Sequence, residues 1–288
     1  MNGTPENLLV AAIQMNAGPD RERNHATALR LMTEAADSGA RLVALPENFS
    51  YIGDHPVAKL ANAEDPENSP SLDLIRSTAV KKNISIVGGS IPLRTADPAK
   101  VTNTTFVIDQ SGIPIARYDK IHLFDANLGG AKSFRESEYV RPGALPVCVN
   151  IRGWEMGLSI CYDLRFPEHY RILAAEGATV FLVPSAFTVE TGRAHWEILL
   201  RARAIENLCY VVAPAQWGRH TAARESYGRT TVVSPWGEII AELHDGEGIV
   251  LCELDQSLLS GARAKLPGIR TATFRGDRNI ITQKRDDK

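Results

Sequence analysis

The chain has 288 residues, of which 44% are hydrophobic and 23% charged, the balance of a globular protein. Its 32 Lys and Arg residues nearly offset 34 Asp and Glu residues, so the net charge of −2 gives no overall field that would attract nucleic acid or an anionic membrane. No apolar run reaches the ~18–20 residues that span a bilayer, and the start of the chain lacks a signal-peptide pattern. We therefore expect a cytoplasmic protein without nucleic-acid or membrane partners.

The cysteine pattern points to the same compartment. Four cysteines lie far apart in the chain and form no C-x-x-C pair, namely Cys148, Cys161, Cys209 and Cys252. This spacing is neither a disulfide framework nor a zinc site, and the histidines contain no H-x-x-x-H pair. We expect free thiols in a reducing cytoplasm, no metal and no cofactor.

Short apolar runs alternate with helical patterns along the chain. Apolar runs predict strands over 8–15, 41–45, 84–87, 104–109, 113–118, 156–161, 180–183, 209–213, 230–233 and 249–254. Helical spacing predicts helices over 24–36, 71–82, 167–175 and 195–206. This alternation favours a layered α/β fold with one domain over 1–288, and the turn at 110–112 predicts an antiparallel hairpin, which argues against a purely parallel sheet. The basic tail from about Gly261 is expected to wrap over the body or a partner subunit.

Four residues lie at strand ends or in loops, where functional groups usually occur. Glu47 ends a strand in ALPENF, and Lys120 follows one in ARYDKIHLFD. Cys161 ends the run MGLSICYD ahead of a helix, and Glu136 lies in KSFRESE. Taken singly, each has an ordinary interpretation: a hydrated strand-end acid, a salt-bridging lysine, a structural cysteine and a surface acid. Taken together, they provide a thiol nucleophile, a base for its proton and a cation for the developing oxyanion.

The motifs around these residues resemble the nitrilase (carbon–nitrogen hydrolase) superfamily, and within it the Nit-type amidases. The similarity rests on LPENF with Glu47, YDKIHLFD with Lys120, SFRES with Glu136, ICYDLRFPE with Cys161, the segment Pro184–Gly218 and SYGRTTVVSPWGEI. The matches occur in the family's order and run to about Leu254, nearly the whole chain. The resemblance implies a four-layer α-β-β-α sandwich and a homodimer. The helix over 167–175 and the C-terminal segment are the expected interface.

The resemblance also implies Cys-dependent hydrolysis of an amide through a thioester, with water as the second reactant. Glu47 would take the proton of the Cys161 thiol as it attacks the carbonyl carbon, and would later activate water. Lys120 and the backbone N–H of Tyr162 would hold the oxyanion. Glu136 would orient the substrate and the Lys120 ammonium.

Substrate choice within the superfamily is read from further motifs. RARAIENLCYVVAPAQWGRH, followed by SYG, is more similar to the deaminated-glutathione amidases of metabolite repair than to omega-amidases acting on 2-oxoglutaramate. The substrates of both groups carry carboxylates, so arginines are expected near the pocket, with Arg165, Arg193 and Arg219 as the candidates. Each arginine could instead belong to a structural or interface ion pair. Two departures from the subgroup are Gly228-Arg229-Thr230 in place of Gly-His-Ser, and Arg193 where proline is common.

Several alternatives stay open. Omega-amidases, nitrilases and N-carbamoyl hydrolases share the chemical steps but not the pocket, and a non-catalytic member would use the same scaffold as a dimeric binding module. The intact set of Glu47, Lys120, Glu136 and Cys161 argues against that module. A serine hydrolase is excluded because the chain has no G-x-S-x-G elbow.

Overall fold

Two β-sheets with helices on their outer faces make up residues 6–128 and 133–270, the part of the chain that this computed structural model describes. The strands are β1 (Leu8–Gln14), β2 (Leu42–Ala44), β3 (Ser85–Val87), β4 (Ile91–Arg94), β5 (Val101–Ile108), β6 (Pro114–Asp119), β7 (Asp125–Asn127), β8 (Ser133–Arg135), β9 (Cys148–Ile151), β10 (Trp154–Leu158), β11 (Val180–Leu182), β12 (Tyr210–Ala213), β13 (Trp217–Arg219), β14 (Glu225–Tyr227), β15 (Thr230–Val233), β16 (Ile239–Leu243) and β17 (Gly248–Leu254). The α-helices are α1 (Arg21–Asp37), α2 (Pro56–Ala61), α3 (Pro70–Lys82), α4 (Pro167–Ala175), α5 (Val189–Asn207) and α6 (Gln256–Lys265).

Both large sheets are mixed. The first has the strand order β17-β1-β2-β3-β5-β4, with β6 also paired to β5 in the antiparallel hairpin that the sequence predicts. Strands β1, β2 and β3 run parallel, and β1 and β17 run antiparallel with Leu8 opposite Leu254. The second sheet has the order β16-β15-β12-β11-β10-β9 and a parallel centre. Two short hairpins, β7–β8 and β13–β14, lie outside these sheets.

Strand alternation explains the layers, because successive side chains of a strand point to opposite faces of the sheet. On β1, Val10 and Ala12 belong to the hydrophobic core shared with the second sheet, whereas Ala11 and Ile13 pack in the core with α1 and α3. On the outer face of the second sheet, the Phe181 ring meets Tyr170 of α4 with centroids 5.0 Å apart. The predicted four-layer α-β-β-α sandwich is therefore confirmed.

Polar first turns explain where the predicted helix boundaries differ. Helix α1 begins at Arg21 rather than at 24, because the Asp20 side chain accepts from the backbone N–H of Arg23 and caps the helix. Helix α5 begins at Val189 rather than at 195, with Thr188 as its cap. In both helices the first turn has few apolar residues at helical spacing, so the predicted helix begins several residues after the observed one.

Other differences concern short elements and the chain end. Cys161 does not end a strand: β10 stops at Leu158, and Cys161 opens a 3-10 helix over Cys161–Arg165. The sequence patterns also missed α2, α6 and several strands. The missed strands have only three to five residues, too few to establish a clear alternation. Gly261 lies within α6, and the predicted tail beyond residue 270 falls outside the described residues.

The glycine turn after β3 supports the loop that carries Glu47. Gly89 has φ of +53°, and a Cβ at this position would lie 2.1 Å from the carbonyl oxygen of Pro46. The next residue, Ser90, accepts a 3.0 Å hydrogen bond at its Oγ from the backbone N–H of Asn48. The turn therefore fixes the residues on both sides of Glu47.

We expect Gly89→Ala to lower the free energy of unfolding by roughly 3 kcal/mol, because a left-handed backbone and an overlap with backbone atoms are both unfavourable. Gly246→Ala is the matched control, since Gly246 also has positive φ (+85°) but nothing lies within 4 Å of an added Cβ. The control should lose only ~1–2 kcal/mol in chemical denaturation. Equal losses of unfolding free energy in the two variants would contradict the close approach of residue 89 to the Pro46 carbonyl.

Candidate active site

Glu47 lies three residues beyond the end of β2, in a tight turn where Asn48 has φ of +54°. The residue is only 3% exposed, and each oxygen of its carboxylate has a hydrogen-bond partner. Oε1 accepts from Lys120 Nζ at 3.0 Å and from Asn103 Nδ2 at 2.9 Å, and Oε2 accepts from the backbone N–H of Ala186 at 3.0 Å. The Glu47 carboxylate is thus held in place by three hydrogen bonds, and its Oε2 contacts the loop after β11.

Lys120, the residue after β6, is buried between two carboxylates. Its Nζ lies 3.0 Å from Glu47 Oε1 and 2.9 Å from Glu136 Oε2. Burial alone would lower the pKa of this amine, but the negative charges of Glu136 and Glu47 outweigh it and raise the pKa well above its usual value. The ammonium therefore stays charged at neutral pH.

Glu136 begins a short 3-10 helix, Glu136–Glu138, that follows β8. Its Oε2 also accepts from the backbone N–H of Phe124 at 2.7 Å. Burial would raise the pKa of the Glu136 carboxyl, but the charges of Lys120 and Lys59 and the Phe124 N–H lower it to about 2. Glu136 is therefore ionised and acts as the second anchor of the Lys120 ammonium.

Cys161 has a left-handed backbone with φ of +51°, which is unfavourable by roughly 1–2 kcal/mol for a residue with a side chain. Hydrogen bonds stabilise the turn: Cys161 N–H donates to Pro184 O at 3.0 Å, and Ile160 N–H donates to Asp163 Oδ2 at 2.8 Å. Burial, with the nearby Glu47 charge, raises the pKa of the Cys161 thiol well above its usual value, although Lys120 and the Ala186 N–H oppose the shift. The resting thiol is therefore protonated, and Glu47 lines the same cavity.

The backbone N–H of Tyr162 lies between two N–H groups that already donate hydrogen bonds. Cys161 N–H donates to Pro184 O and Asp163 N–H donates to Ile160 O, while no acceptor for the Tyr162 N–H occurs among residues 6–128 and 133–270. An unpaired N–H at the start of a helix is suited to an incoming oxygen. The Lys120 ammonium faces the same cavity.

Asp163 joins the cysteine turn to the loop after Lys120, a role that the sequence did not suggest. Its buried carboxylate accepts from Tyr118 OH at 2.7 Å and from His122, through the backbone N–H at 2.9 Å and the ring Nδ1 at 2.7 Å. It also accepts from Ile160 N–H. The positions of the thiol and the ammonium are therefore coupled through one side chain.

A cavity of about 50 Å³ contains all four predicted catalytic residues. Its lining is Glu47, Asn48, Lys59, Lys120, Phe124, Phe134, Glu136, Tyr139, Cys161, Tyr162, Arg165, Ala186, Phe187, Thr188, Thr191 and Arg224. Within the described residues, the carboxylates of this lining both pair with Lys120, and the other three cations form no ion pair. The cavity is thus suited to an anionic ligand.

These three cations are held by contacts other than carboxylates. Arg165 lies over the rings of Tyr162 and Phe187, at 5.6 and 5.4 Å from their centroids. Lys59 Nζ lies 5.9 Å from the Tyr139 ring centroid, and burial lowers the pKa of this amine. Arg224 donates to the carbonyl of Gly53 at 3.2 Å.

A second cavity of about 260 Å³ adjoins the first and shares Asn48, Phe134, Ala186, Thr188 and Arg224 with it. Arg219 lines this second cavity and pairs loosely with Glu225 at 3.9 Å. Arg193 is exposed on α5 and lines neither cavity. Of the three predicted arginines, only Arg165 therefore lies beside Cys161.

The residues that sequence reasoning missed are Asn103, Asp163, Lys59 and Arg224. Asn103 had a signal, since it is a polar residue within the buried strand β5, and it donates to both Glu47 and Glu136. Lys59 lies on α2, a helix with no predicted pattern, and Arg224 precedes a short hairpin strand. Only the tertiary structure brings these cations to the cavity.

Residues 6–128 and 133–270 contain neither a metal-binding cluster nor a membrane-spanning helix. No group of three or more His, Cys, Asp and Glu side chains is arranged to hold a metal ion. In the same described ranges, no helix combines the length and apolar character needed to cross a membrane. In this part of the chain the four cysteines form no disulfide; Cys161 and Cys209 are buried, and Cys148 and Cys252 are partly buried.

The cavity thus brings together a thiol, two carboxylates and a lysine ammonium in an α-β-β-α sandwich, the groups that nucleophilic hydrolysis by a cysteine requires. The family model described as carbon-nitrogen hydrolase matches residues 9–264. A Synechocystis protein named deaminated glutathione amidase is 39% identical over 92% of this chain and 98% of its own length. A Mus musculus protein of the same name is 41% identical over 90% of this chain and 81% of its own length.

Solved structures agree with the sequence comparisons. The crystal structure of Saccharomyces cerevisiae Nit3, a member of branch 10 of the nitrilase superfamily, has a TM-score of 0.84 and 30% identity, covering 93% of this chain and 97% of Nit3. The chain belongs to the carbon–nitrogen hydrolase family, and it is a hydrolase of carbon–nitrogen bonds. The resemblance found in the sequence motifs is thereby confirmed.

We expect the ionised Glu136 to stabilise the fold at neutral pH. Because its folded pKa of about 2 lies below the ordinary value of 4.5, its contribution is present above pH ~4.5 and is lost as pH falls towards 2. The full contribution is about 3 kcal/mol. Urea denaturation between pH 2.5 and 7 should show a smaller acid-induced loss in Glu136→Gln than in the wild type. Glu138→Gln, an exposed neighbour, is the control; equal pH slopes in all three proteins would contradict the prediction.

Proposed function

We propose that this hydrolase is an amidase that cleaves deaminated glutathione through a thioester on Cys161. The observation that carries the proposal is the Lys120 ammonium, fixed at 3.0 and 2.9 Å between Glu47 and Glu136 in the cavity of a protonated, buried thiol. A thiol with a raised pKa needs a base at the moment of attack, and the Glu47 carboxylate lies in the same cavity, close enough to raise that pKa.

In the proposed acylation step, the Cys161 sulfur forms a bond to the amide carbon while its proton passes to Glu47. The carbonyl oxygen becomes an oxyanion that accepts from the Lys120 ammonium and from the Tyr162 N–H. When the tetrahedral adduct collapses, the carbon–nitrogen bond breaks and Glu47 returns the proton to the departing amine. General acid–base help of this kind contributes about 10²–10⁴-fold in rate.

In the proposed deacylation step, water enters the place of the amine. Glu47 takes a proton from the water as its oxygen attacks the thioester carbon, and the same two donors hold the oxyanion. The carbon–sulfur bond then breaks, the sulfur takes the proton back, and the free acid departs. Glu136 holds the Lys120 ammonium in position through both steps.

The substrate proposal rests on charge and on the relatives. Both reported relatives are named deaminated glutathione amidase. Deaminated glutathione is glutathione with its amino group replaced by an oxo group, so its acyl half ends in a 2-oxo acid carboxylate. Lys59 and Arg165, which have no carboxylate partner among the described residues, are suited to this anion. An activity of this kind would be one of metabolite repair.

Omega-amidase is the second candidate, because 2-oxoglutaramate has the same acyl half and differs only in its leaving group. Hydrolysis releases 2-oxoglutarate from both compounds, with cysteinylglycine leaving in one case and ammonia in the other. One assay for 2-oxoglutarate therefore compares the two substrates directly.

The homodimer implied by the resemblance is also a proposal. Apolar side chains are exposed on the outer faces of α4 and α5, with Ile172 48%, Ile198 69% and Ile205 44% accessible. A patch of this kind on an outer helical layer is typical of a subunit interface. Light scattering at micromolar concentration would test it. The cytoplasmic location stays a prediction.

We expect Cys161→Ala to lose 2-oxoglutarate release from deaminated glutathione by ~10⁴-fold or more, because the nucleophile is gone. Cys252→Ala, which removes a partly buried thiol on β17, is the matched control and should keep wild-type turnover. Faster turnover of 2-oxoglutaramate by the wild type would assign the protein as an omega-amidase. If neither substrate reacts and the Cys161 thiol does not react with a small alkylating reagent, the binding-module alternative would replace this proposal.

We expect Lys120→Ala to lower kcat by on the order of 10²–10³-fold, the usual effect of removing an oxyanion donor. Its stability should also fall by ~3–5 kcal/mol, since two buried carboxylates lose their cation. Lys81→Ala, an exposed lysine on α3, is the control for both measurements. Substantial turnover in a folded Lys120→Ala protein would contradict the assigned role.

A further inference from the structure

We propose that the second cavity is the subsite for the leaving amine, and that Arg224 binds the carboxylate of that amine. The ligand class is an amine that carries a carboxylate, such as an amino acid or a dipeptide. The inference rests on the proposed amidase function, because a leaving-group subsite needs an amide that is cleaved at Cys161.

The first argument is the direction in which the amine must leave. The general acid has to face the departing nitrogen, and the proposed acid is Glu47. Its Oε1 is occupied by Lys120 and Asn103, so the transferred proton belongs to Oε2, which contacts the backbone N–H of Ala186. Ala186 is also one of the five residues that line both cavities. The amine therefore departs towards the second cavity.

The second argument is size. The cavity that contains Cys161 measures about 50 Å³, whereas the adjoining one measures about 260 Å³. A water molecule occupies roughly 30 Å³ in the liquid, so the first cavity has no room for a dipeptide beside the thiol. A leaving group of that size needs the second cavity.

The third argument is charge at the junction. Arg224 lines both cavities, and its guanidinium has the carbonyl of Gly53 as its acceptor and no carboxylate partner among the described residues. A guanidinium offers five N–H donors in a planar fork that matches a carboxylate. The other arginine of the second cavity, Arg219, is exposed and already beside Glu225. Arg224 is therefore the cation available to an anionic leaving group.

The remaining polar groups of the second cavity do not compete for that role. His220 is buried, with its ring nitrogens bonded to Ala17 O and Ser226 Oγ, and burial lowers its pKa to about 4. It is neutral at pH 7. The acidic side chains of the lining, Glu190 and Glu225, are exposed to solvent.

The test compares kcat/KM of the wild type and Arg224→Gln on three substrates by release of 2-oxoglutarate. The substrates are deaminated glutathione, its analogue with a C-terminal carboxamide, and 2-oxoglutaramate. Each rate is divided by the concentration of reactive Cys161 thiol in that preparation, so that inactive protein does not lower the measured kcat/KM. Arg193→Gln, which changes an exposed arginine outside both cavities, is the matched control.

We expect Arg224→Gln to lower kcat/KM for deaminated glutathione about tenfold or more beyond its effect on 2-oxoglutaramate, the usual size of a charged hydrogen-bonded contact. The wild type should hydrolyse the carboxamide analogue poorly. For Arg224→Gln, kcat/KM for the carboxamide analogue should be no lower than kcat/KM for deaminated glutathione. Equal losses on all three substrates, or a wild type indifferent to the carboxamide, would overturn the subsite and leave the amidase proposal standing. If the wild type hydrolyses none of the three, the proposed function itself fails.

Discussion

The buried Lys120 ammonium is the interaction on which the rest of the site depends. A charge removed from water is stable only when opposite charges compensate for the lost hydration. Glu47 and Glu136 provide this compensation at 3.0 and 2.9 Å. In turn, the Lys120 ammonium lowers the pKa of the Glu136 carboxyl, so that this buried group stays ionised.

The sandwich places these groups together because each follows a different strand or hairpin of the scaffold. Glu47 follows β2, Lys120 follows β6, Glu136 follows β8, and Cys161 follows β10 of the opposite sheet. Apolar packing between the sheets fixes the strands, and hydrogen bonds at their ends fix the loops. Asp163 is the clearest example, because it bonds the cysteine turn, Tyr118 and His122 at once. Strained backbone at Cys161 is tolerated because such contacts over-determine it.

Charge outside the central cluster gives the pocket its proposed selectivity. In the proposed mechanism, the thiol, the base and the oxyanion donors act on any amide, so they do not distinguish one substrate from another. Lys59, Arg165 and Arg224 surround that machinery as cations without carboxylate partners in the described part of the chain. Their distribution over two joined cavities is suited to a substrate with an anion on each side of the cleaved bond.

The sequence by itself determined the layered α/β class, the hairpin of β5 and β6, the family, and the cavity residues Glu47, Lys120, Glu136 and Cys161, because these depend on local periodicity and on contiguous motifs. Local patterns also gave α4 its correct bounds, Pro167–Ala175. They could not give the first turns of α1 and α5, whose caps are polar, or α2, which is short. Tertiary structure alone decided that Arg165 lies beside Cys161 while Arg193 does not, and that Lys59, Asn103 and Arg224 join the site. The physical reason is that long-range packing, which no local pattern encodes, sets where a charged side chain of a loop or short helix finally lies.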